Sequence, residues 1–565
     1  MKRLIIFLMM STALFAQETD TLYILQTTDV HGNIYPYDYF KDEPDENRGL
    51  VKIFTRVAEY RKKHPNVLLV DGGDLLQGTP MIYYFNKIET DVPNPMILTM
   101  NYMGYDAFAV GNHDIEQGLF TYHRAQVQSD FPWLSANSLM PDGRTFFDPY
   151  TIIEYNGITI GIIGLTTPGI PMWLDKTLYP GITWTDMIET ARDYAEMLRP
   201  EVDVLVGLFH AGLNEDYSGA HTDALGLPNE NASRLVAEQV PLFDVVFAGH
   251  SHQDEVNVEF KEAGSGVKSE DKSKKIKEKR DEKASAGDDA TLLVNAGSWA
   301  RNLGVAEIII KDSGEGLQIA EKNGWLEPMK EVKASEAILQ LNEYYHLKTL
   351  DYIRTEIGTL TDTLSGENSR FEDSPFIELV NKAQMDFTGA DISFAASFND
   401  RLKITPGPIK IKDIYSMYRY ENFLYVVEMT GQQIKDYLEF SSRFYIWDGK
   451  KITENPDVRG YNYDMAEGIS YQIDVREKTG SRIRNLQFSK TGKPLEMKKI
   501  YHVAMNSYRA TGGGGHMAAA GASDAPVVFK ANEEIRNILA EYIKKQGTVE
   551  PKADGNWKIE VGSRK

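Results

Sequence analysis

Along the first 330 residues, short apolar runs stop again and again at a polar cluster. "LYILQTTDVHGN" leads from Leu22 into Asp29 and His31, and "VLLVDGGD" ends at Asp74. "AFAVGNHD" ends in Asn112, His113 and Asp114, "VDVLVGLFHAG" runs into His210, and "DVVFAGHSH" closes on His250 and His252. "ITIGIIGLTTPG" and "TLLVNAGSWA" have the same character. Runs of roughly four to eight residues, rich in β-branched side chains and bounded by glycine, read as buried strands. Amphipathic stretches lie between several of them, such as "LVKIFTRVAEYRKKHP" with Val51, Phe54 and Val57 at helical spacing. This alternation is an α/β pattern. In open α/β sheets the ligand binds beyond the carboxyl ends of the strands.

The residues at those ends suit a metal. Asp29 and His31 stand two apart, so on an extended segment both point the same way, and His250 and His252 repeat the spacing. Asp74 follows two glycines, which permit a tight turn and close approach to a ligand. Asn112 offers a carbonyl oxygen and His210 an imidazole. One histidine at a strand end is ordinarily structural. Here five of the eleven histidines fall at such ends, mixed with aspartate and asparagine. Carboxylate, amide and imidazole together suit Mn, Zn, Fe or Co, and disfavour copper(I) and iron–sulfur clusters, which want thiolates. The donors suffice for two divalent ions with one carboxylate bridging.

The 565 residues allow about two to four domains. "MKRLIIFLMMSTALFAQ" has a basic head, a short apolar stretch and small Ala16, so residues 1–16 read as a secretory signal peptide. The stretch falls short of the ~20 residues of a membrane span. No cysteine follows it, which excludes a lipid anchor on that residue. The expectation is an exported, periplasmic protein with no membrane span, acting as a monomer. The absence of cysteine suits an oxidising compartment. A net charge of −21 argues against binding polymeric nucleic acid. It leaves room for a small anionic substrate, because bound metal ions reverse the local field. Residues 260–290, containing "KEAGSGVKSEDKSKKIKEKRDEKASAGDD", carry few large apolar side chains and are expected to be a disordered, solvated insertion in a domain spanning 18–330.

From Ala334 to Ile353, with Leu347, Leu350 and Ile353 spaced by three, the pattern predicts a linker helix over 333–354. A second domain over 355–560 has strand-like "GADISFAA", "FLYVVEM" and "KIYHVAMNS", and "TGQQ" at Thr430 reads as a capping box before "IKDYLEF". It is expected to be α+β.

Taken in order, D-x-H, G-D, G-N-H, a later H and G-H-x-H resemble the calcineurin-like metallophosphoesterases. "DIYSMYRYENFLYVVEMTGQQIKDYLEF" and "NSYRATGGGG" resemble the carboxyl-terminal domain of the 5′-nucleotidase family, which includes UDP-sugar hydrolases and 2′,3′-cyclic-nucleotide 2′-phosphodiesterase/3′-nucleotidases. The resemblance implies a metallophosphoesterase sandwich of sheets flanked by helices, joined by a helix to a substrate-binding α+β domain. It implies one ion on Asp29, His31 and His252, a second on Asn112, His210 and His250, and Asp74 bridging. It implies that His113 stabilises the transition state or protonates the leaving oxygen. The family's aspartate partner for that histidine would fall three residues later, where this chain has Glu116, while Asp114 follows His113 directly. In the second domain the resemblance implies that Tyr420 and Tyr508 sandwich a nucleobase, that Asn422 contacts its edge, and that Arg370 and Arg401 meet the substrate's anionic groups. The family's acidic residue in the "TGGGGH" turn is Gly514 here. That turn lacks the Gly-Lys-Ser/Thr ending of a phosphate loop.

The implied activity is hydrolysis of nucleotides by metal-activated water. "TTDVHGNIYPYDYF", "MYRYENFLYVVEMTG" and tyrosine at both stacking positions look nearer to the cyclic-phosphodiesterase/3′-nucleotidase branch than to the 5′-nucleotidase/UDP-sugar hydrolase branch. A non-catalytic nucleotide-capture protein is the contrasting class, and a lipid or sugar phosphate the contrasting substrate.

Overall fold

The computed structural model describes residues 19–213, 222, 226–260, 284–286, 290–314 and 316–560. The candidate signal peptide lies outside the described residues, as does most of the charged insertion. No helix among the described residues is long and apolar enough to cross a membrane.

The apolar runs become strands of two sheets. Thr19–Thr27, Val67–Asp71, Ala107–Ala109 and Trp133–Leu134 lie side by side and parallel in a seven-stranded sheet. Ile158–Thr166, Val204–His210, Val245–Ala248 and Ala290–Ala296 do the same in a six-stranded one. Antiparallel strands complete each, Asn302–Asp312 against Thr19–Thr27 and Asp254–Phe260 against Ala290–Ala296.

Both faces of each sheet are covered, which is why the runs read as continuously apolar rather than alternating. Leu22, Ile24, Leu68 and Val70 face Val204, Val206, Leu208 and Phe247 between the sheets. The intervening Leu25 and Leu69 face outward onto the helices Leu50–Lys63, Pro80–Lys87 and Pro95–Met103. Leu205 and Phe209 face outward onto Met187–Leu198 and Ser233–Gln239. The result is a helix–sheet–sheet–helix sandwich with all the parallel strands ending at one edge. Burying each such side chain contributes about 1.5–3 kcal/mol.

Two expectations are corrected. The insertion is not wholly without structure: Ala284–Ala286 forms an edge strand paired with Lys322–Gly324. The linker is two helices, Glu336–Leu341 and Glu343–Ile353. They part at Asn342, whose buried carboxamide donates to Thr99 Oγ1 and to the Ile338 carbonyl. An asparagine bonding nearby backbone competes with helix continuation. Of the three apolar linker residues, Ile353 is buried and Leu347 is exposed.

The carboxyl-terminal domain is α+β. Its five-stranded sheet has Ile392–Ala396, Ile500–Asn506, Phe423–Thr430 and the edge strand Val527–Glu534. Thr430 caps the helix Gly431–Ser441 through a capping box with Gln433, as "TGQQ" implied. The domains are pinned together at Asp42. Its carboxylate accepts Arg354 at 2.8 Å and Lys412 at 3.4 Å, and is held down to about 2 by these cations and the Tyr37 hydroxyl against its partial burial.

The sheets approach closely where Gly164 passes Leu134: a Cβ there would stand 2.3 Å from the Leu134 side chain and 2.7 Å from its carbonyl carbon. Gly164→Val is therefore expected to destabilise the protein by about 1–3 kcal/mol, seen as a lower midpoint in thermal unfolding. An unchanged midpoint would contradict this packing.

Candidate metal centre

The polar clusters meet because neighbouring loops continue the sheet's hydrogen bonding past the strand ends. Gly72 N–H donates to the Thr27 carbonyl, Asp29 N–H to Gly73, and His31 N–H to Asp74, each within 2.8–2.9 Å. This replaces the extended segment expected at Asp29–His31. Both residues have φ of 49°, and Asp74, His250 and His252 have φ of 64°, 70° and 55°. Left-handed backbone at a non-glycine residue costs of order 1–3 kcal/mol and persists where the surroundings over-determine it. Convergence thus comes from tightly turned loops, not from strand periodicity. The Trp299 N–H, itself on a left-handed residue, donates to the Asp29 carbonyl at 2.8 Å. Gly73 has φ of 102° and a Cβ there would stand 2.5 Å from His210 Nδ1, so this loop position requires glycine.

Seven side chains come together. Asp29, His31 and His252 form one group, and Asp74, His210 and His250 another, with ligating atoms inside each group within 4.8 Å of one another. Asn112 Oδ1 adds to the second, 3.1 Å from His210 Nε2 and 2.8 Å from His250 Nδ1. Asp74 Oδ2 lies 3.2 Å from His210 Nε2 and 3.9 Å from His31 Nε2, so one carboxylate faces both groups.

Backbone carbonyls orient two of these imidazoles. His31 Nδ1 gives its proton to the Gln77 carbonyl at 3.0 Å, and His210 Nδ1 to the Gly72 carbonyl at 2.7 Å. Each Nε2 is thereby turned inward, where the Asp74 carboxylate, 3.2 Å from His210 Nε2, outweighs burial and pushes that imidazole up to about 9. Burial, then the neighbouring His252, holds His31 down to about 4, and burial, then His210, holds His250 down to about 3. Nε2 atoms of His31 and His252 face each other at 3.0 Å beside the fully buried Asp29. Asp29 outweighs burial and raises His252, whose Nε2 lies 3.2 Å from Asp29 Oδ1, and a cation among these nitrogens and carboxylates would take the place of the imidazole protons. The donor set fits a divalent metal.

His113 stands at the rim. Its N–H donates to Asp74 Oδ1 at 2.8 Å, and its Nδ1 meets Glu116 Oε2 at 2.5 Å. The carboxylates of Asp74 and Glu116 outweigh burial and push the imidazole up to about 10. Asp114 turns the other way. Fully buried, it accepts N–H groups of Gly111, Asp74, Leu75 and Leu76 at 2.9–3.0 Å, clamping the Asp74 loop to the helix Asn112–Glu116. Sequence reading gave Asp114 no such task. Its place three residues after Gly111, at the third position of a helix, was the available signal.

In the second domain, the turn bearing Tyr420 and Asn422 leads into Phe423–Thr430, and Tyr508 follows Ile500–Asn506. Those strands pair with Leu424 opposite Asn506, so both tyrosines sit at one end of the sheet. The Phe423 N–H donates to Ser507 Oγ at 3.2 Å. Tyr420 is 38% exposed with Phe398 edge-on at 5.0 Å, and Tyr508 is half-buried. The half-buried Asn422 carboxamide reaches the Tyr418 hydroxyl at 3.5 Å. Gly514 has φ of 72°, and a Cβ there would stand 2.4 Å from Arg509, which leaves no room for an acidic side chain. Arg509 itself is buried against Asp464. Arg370 is engaged by Asp400, Glu454 and the Ser397 carbonyl, whereas Arg401 is exposed.

The calcineurin-like phosphoesterase family model matches residues 22–254, and that of the 5′-nucleotidase C-terminal domain matches residues 356–521. Sandwich, strand-end donor clusters and second domain together define a two-domain metallophosphoesterase, a hydrolase of phosphoric ester bonds. The chain belongs to the 5′-nucleotidase family of calcineurin-like metallophosphoesterases. It is 29% identical, over 95% of its length, to the trifunctional nucleotide phosphoesterase protein YfkN of Bacillus subtilis, and spans 39% of that longer protein. It is 28% identical, over 97% of its length and 90% of the relative's, to the 2′,3′-cyclic-nucleotide 2′-phosphodiesterase/3′-nucleotidase of Yersinia enterocolitica. The structure of a putative 5′-nucleotidase from Staphylococcus aureus shares the fold, with a TM-score of 0.78 at 22% identity, covering 96% of this chain and 100% of that one.

Asp114→Ala, which frees four N–H groups around the Asp74 loop, is expected to weaken Mn²⁺ binding by about 10- to 100-fold in calorimetric titration of metal-stripped protein. Unaltered affinity would show that the clamp does not orient the ligands.

Proposed function

We propose that this protein is an exported nucleotide phosphohydrolase with two divalent ions, releasing nucleoside and phosphate from 2′,3′-cyclic nucleotides and 3′-nucleotides. The observation that carries the reading is Asp74, a single carboxylate facing two imidazole groups. Asp29, His31 and His252 would hold one ion, Asn112, His210 and His250 the other, with Asp74 shared between them. Two divalent ions there supply Lewis acidity at the phosphoryl oxygens and lower the pKa of attacking water.

The chain's own groups do the rest. Glu116 holds the Nδ1 proton of His113, which leaves Nε2 to donate to a phosphoryl or leaving oxygen. The Asp74 Oδ1 bond to the His113 N–H ties the position of that donor to the ligand loop. Tyr420 and Tyr508 offer π-faces to a base. Asn422 stands beside Tyr420 to reach the base edge, and Arg401 is the exposed cation available to substrate phosphate. Arg370 would have to give up Asp400 to do the same.

The cyclic and 3′ substrates are favoured because relatives carrying that name are 28% identical, against 24–26% for those named 5′-nucleotidase or UshA. 5′-Nucleotides and UDP-sugars are the second reading. Export rests on the apolar leader of residues 1–16.

Purified protein with Mn²⁺ is expected to release phosphate or nucleoside from 2′,3′-cyclic AMP and 3′-AMP, with the activity lost in EDTA. Turnover of 5′-AMP or UDP-glucose alone would select the second reading, and no metal-dependent turnover of any of the four would refute the nucleotide reading. Asp74→Ala is expected to abolish turnover. Tyr420→Ala and Tyr508→Ala should each raise KM for nucleotides by about five- to a hundredfold, the worth of one stacking contact.

A further inference from the structure

One polar contact crosses from the base-side turn to the His113 helix. Gln117, the residue after Glu116, donates Nε2–H to Glu421 Oε2 at 2.8 Å. Glu421 lies between Tyr420 and Asn422. Both partners are buried, each 5% exposed. Glu421 Oε1 accepts from Arg536 at 3.0 Å, and Arg536 also holds Glu534 at 2.9 Å. The Arg536 guanidinium sits 4.9 Å from the Tyr83 ring of the first domain and 4.5 Å from the Tyr415 ring of the second. A buried ion cluster thus continues into one neutral amide on the other domain.

The Gln117 amide is otherwise hard to explain. Its Oε1 is buried and has no partner, and an unsatisfied buried acceptor is unfavourable. An aliphatic side chain would fill the space without that penalty. What such a residue would lack is the N–H directed at Glu421.

We propose that Gln117 and Glu421 are positioning residues that latch the Tyr420–Asn422 turn of the second domain to the helix carrying His113. They thereby set the distance between the bound base and the metal centre. The role in catalysis rests on the nucleotide reading above; the latch itself does not. Separating the domains would strip the Glu421 carboxylate of one of its two donors. A like charge at Gln117 would push the turn away, because juxtaposed like charges in an interface are strongly unfavourable.

The test is charge insertion followed by bond reversal. Gln117→Glu places two carboxylates face to face, and adding Glu421→Gln restores an amide–carboxylate pair in the opposite sense, with Glu534 still holding Arg536. The chain has no cysteine, so spin labels can be placed through Lys62→Cys and Lys493→Cys, both at exposed positions on different domains. The parent should give a distance population at the separation this arrangement sets. Gln117→Glu should shift or broaden it, and the double variant should return it. In parallel, Gln117→Glu should raise nucleotide KM about tenfold or more. Hydrolysis of p-nitrophenyl phosphate esters, which lack a base, should stay within about twofold. The double variant should recover most of the loss. An unchanged distance distribution in Gln117→Glu overturns the latch whatever the substrate proves to be. Intact nucleotide KM despite a shifted distribution overturns its role in positioning the base. If Gln117→Glu also loses aryl-ester turnover, Gln117→Leu, which removes the bond without adding charge, carries the same expectations. Absence of nucleotide turnover in the parent refutes the function proposed above and leaves the distance measurement to decide the latch.

Discussion

The molecule is organised around carboxylates that have no solvent to face. Asp29 and Asp74 are buried where parallel strands end, ringed by imidazoles whose ring nitrogens approach them and one another. Such a cluster is unfavourable without cations in a medium far less polar than water. The four-layer sandwich supplies what the cluster demands. Two sheets covered on both faces hold the strand ends, and five candidate ligand residues take left-handed conformations there. Backbone carbonyls of the neighbouring loop accept the Asp29 and His31 N–H groups, and the Asp114 and Asp29 carboxylates accept those of Asp74 and His250. A protein with one solvated sheet face would have less packing available to offset that strain.

Support for the ligands runs outward in a defined order. Backbone carbonyls of Gln77 and Gly72 fix the tautomers of His31 and His210. Asp114 gathers the N–H groups of the Asp74 loop and of Gly111, which ties the Asp74 carboxylate to the His113 helix. Glu116, two residues further along the same short helix, takes His113 Nδ1. Gln117, the next residue, reaches the other domain. Within six residues, Asn112 to Gln117, the chain carries a candidate metal donor, a candidate proton donor, a loop clamp, a carboxylate bonded to that imidazole and an interdomain contact.

The second domain adds Tyr420 and Tyr508 to a first domain whose half-buried Trp173 lies 5.4 Å from His250. Its sheet places the Tyr420 turn and Tyr508 at one end through the antiparallel register of two strands. The Asp42 ion pairs, the Tyr83–Arg536–Tyr415 stack and the Glu421 contact hold that end toward the first domain. Buried polar contacts of this kind specify geometry more than they add stability. Under the proposed nucleotide reading, specificity for one phosphate position would be a matter of distance between the base and the metals.

Much was legible in the chain itself. Continuous apolar runs between glycines declared strands buried on both faces, because two-sided burial removes the alternation that a solvated face imposes. Residue type and order pointed to the candidate metal donors that the fold brings together, since imidazole, carboxylate and amide in one cluster suit a divalent ion. The capping box at Thr430 was visible because it is local. What stayed hidden depended on contacts distant in sequence. Asp114 and Glu116 could not be assigned by spacing alone, because both lie within one turn of His113 and only the approach of the Asp74 loop sends one to it and the other to the imidazole. The linker read as one helix because its break at Asn342 depends on Thr99, more than two hundred residues away. The extended pair at Asp29 and His31 gave way to left-handed turns because the neighbouring strand's loop, not the local sequence, provides their hydrogen bonds. The sequence by itself determined which elements form and which atoms are the candidate ligands. The tertiary structure decided where those atoms point, because direction at a strand end is set by whatever the adjacent loops offer to the backbone.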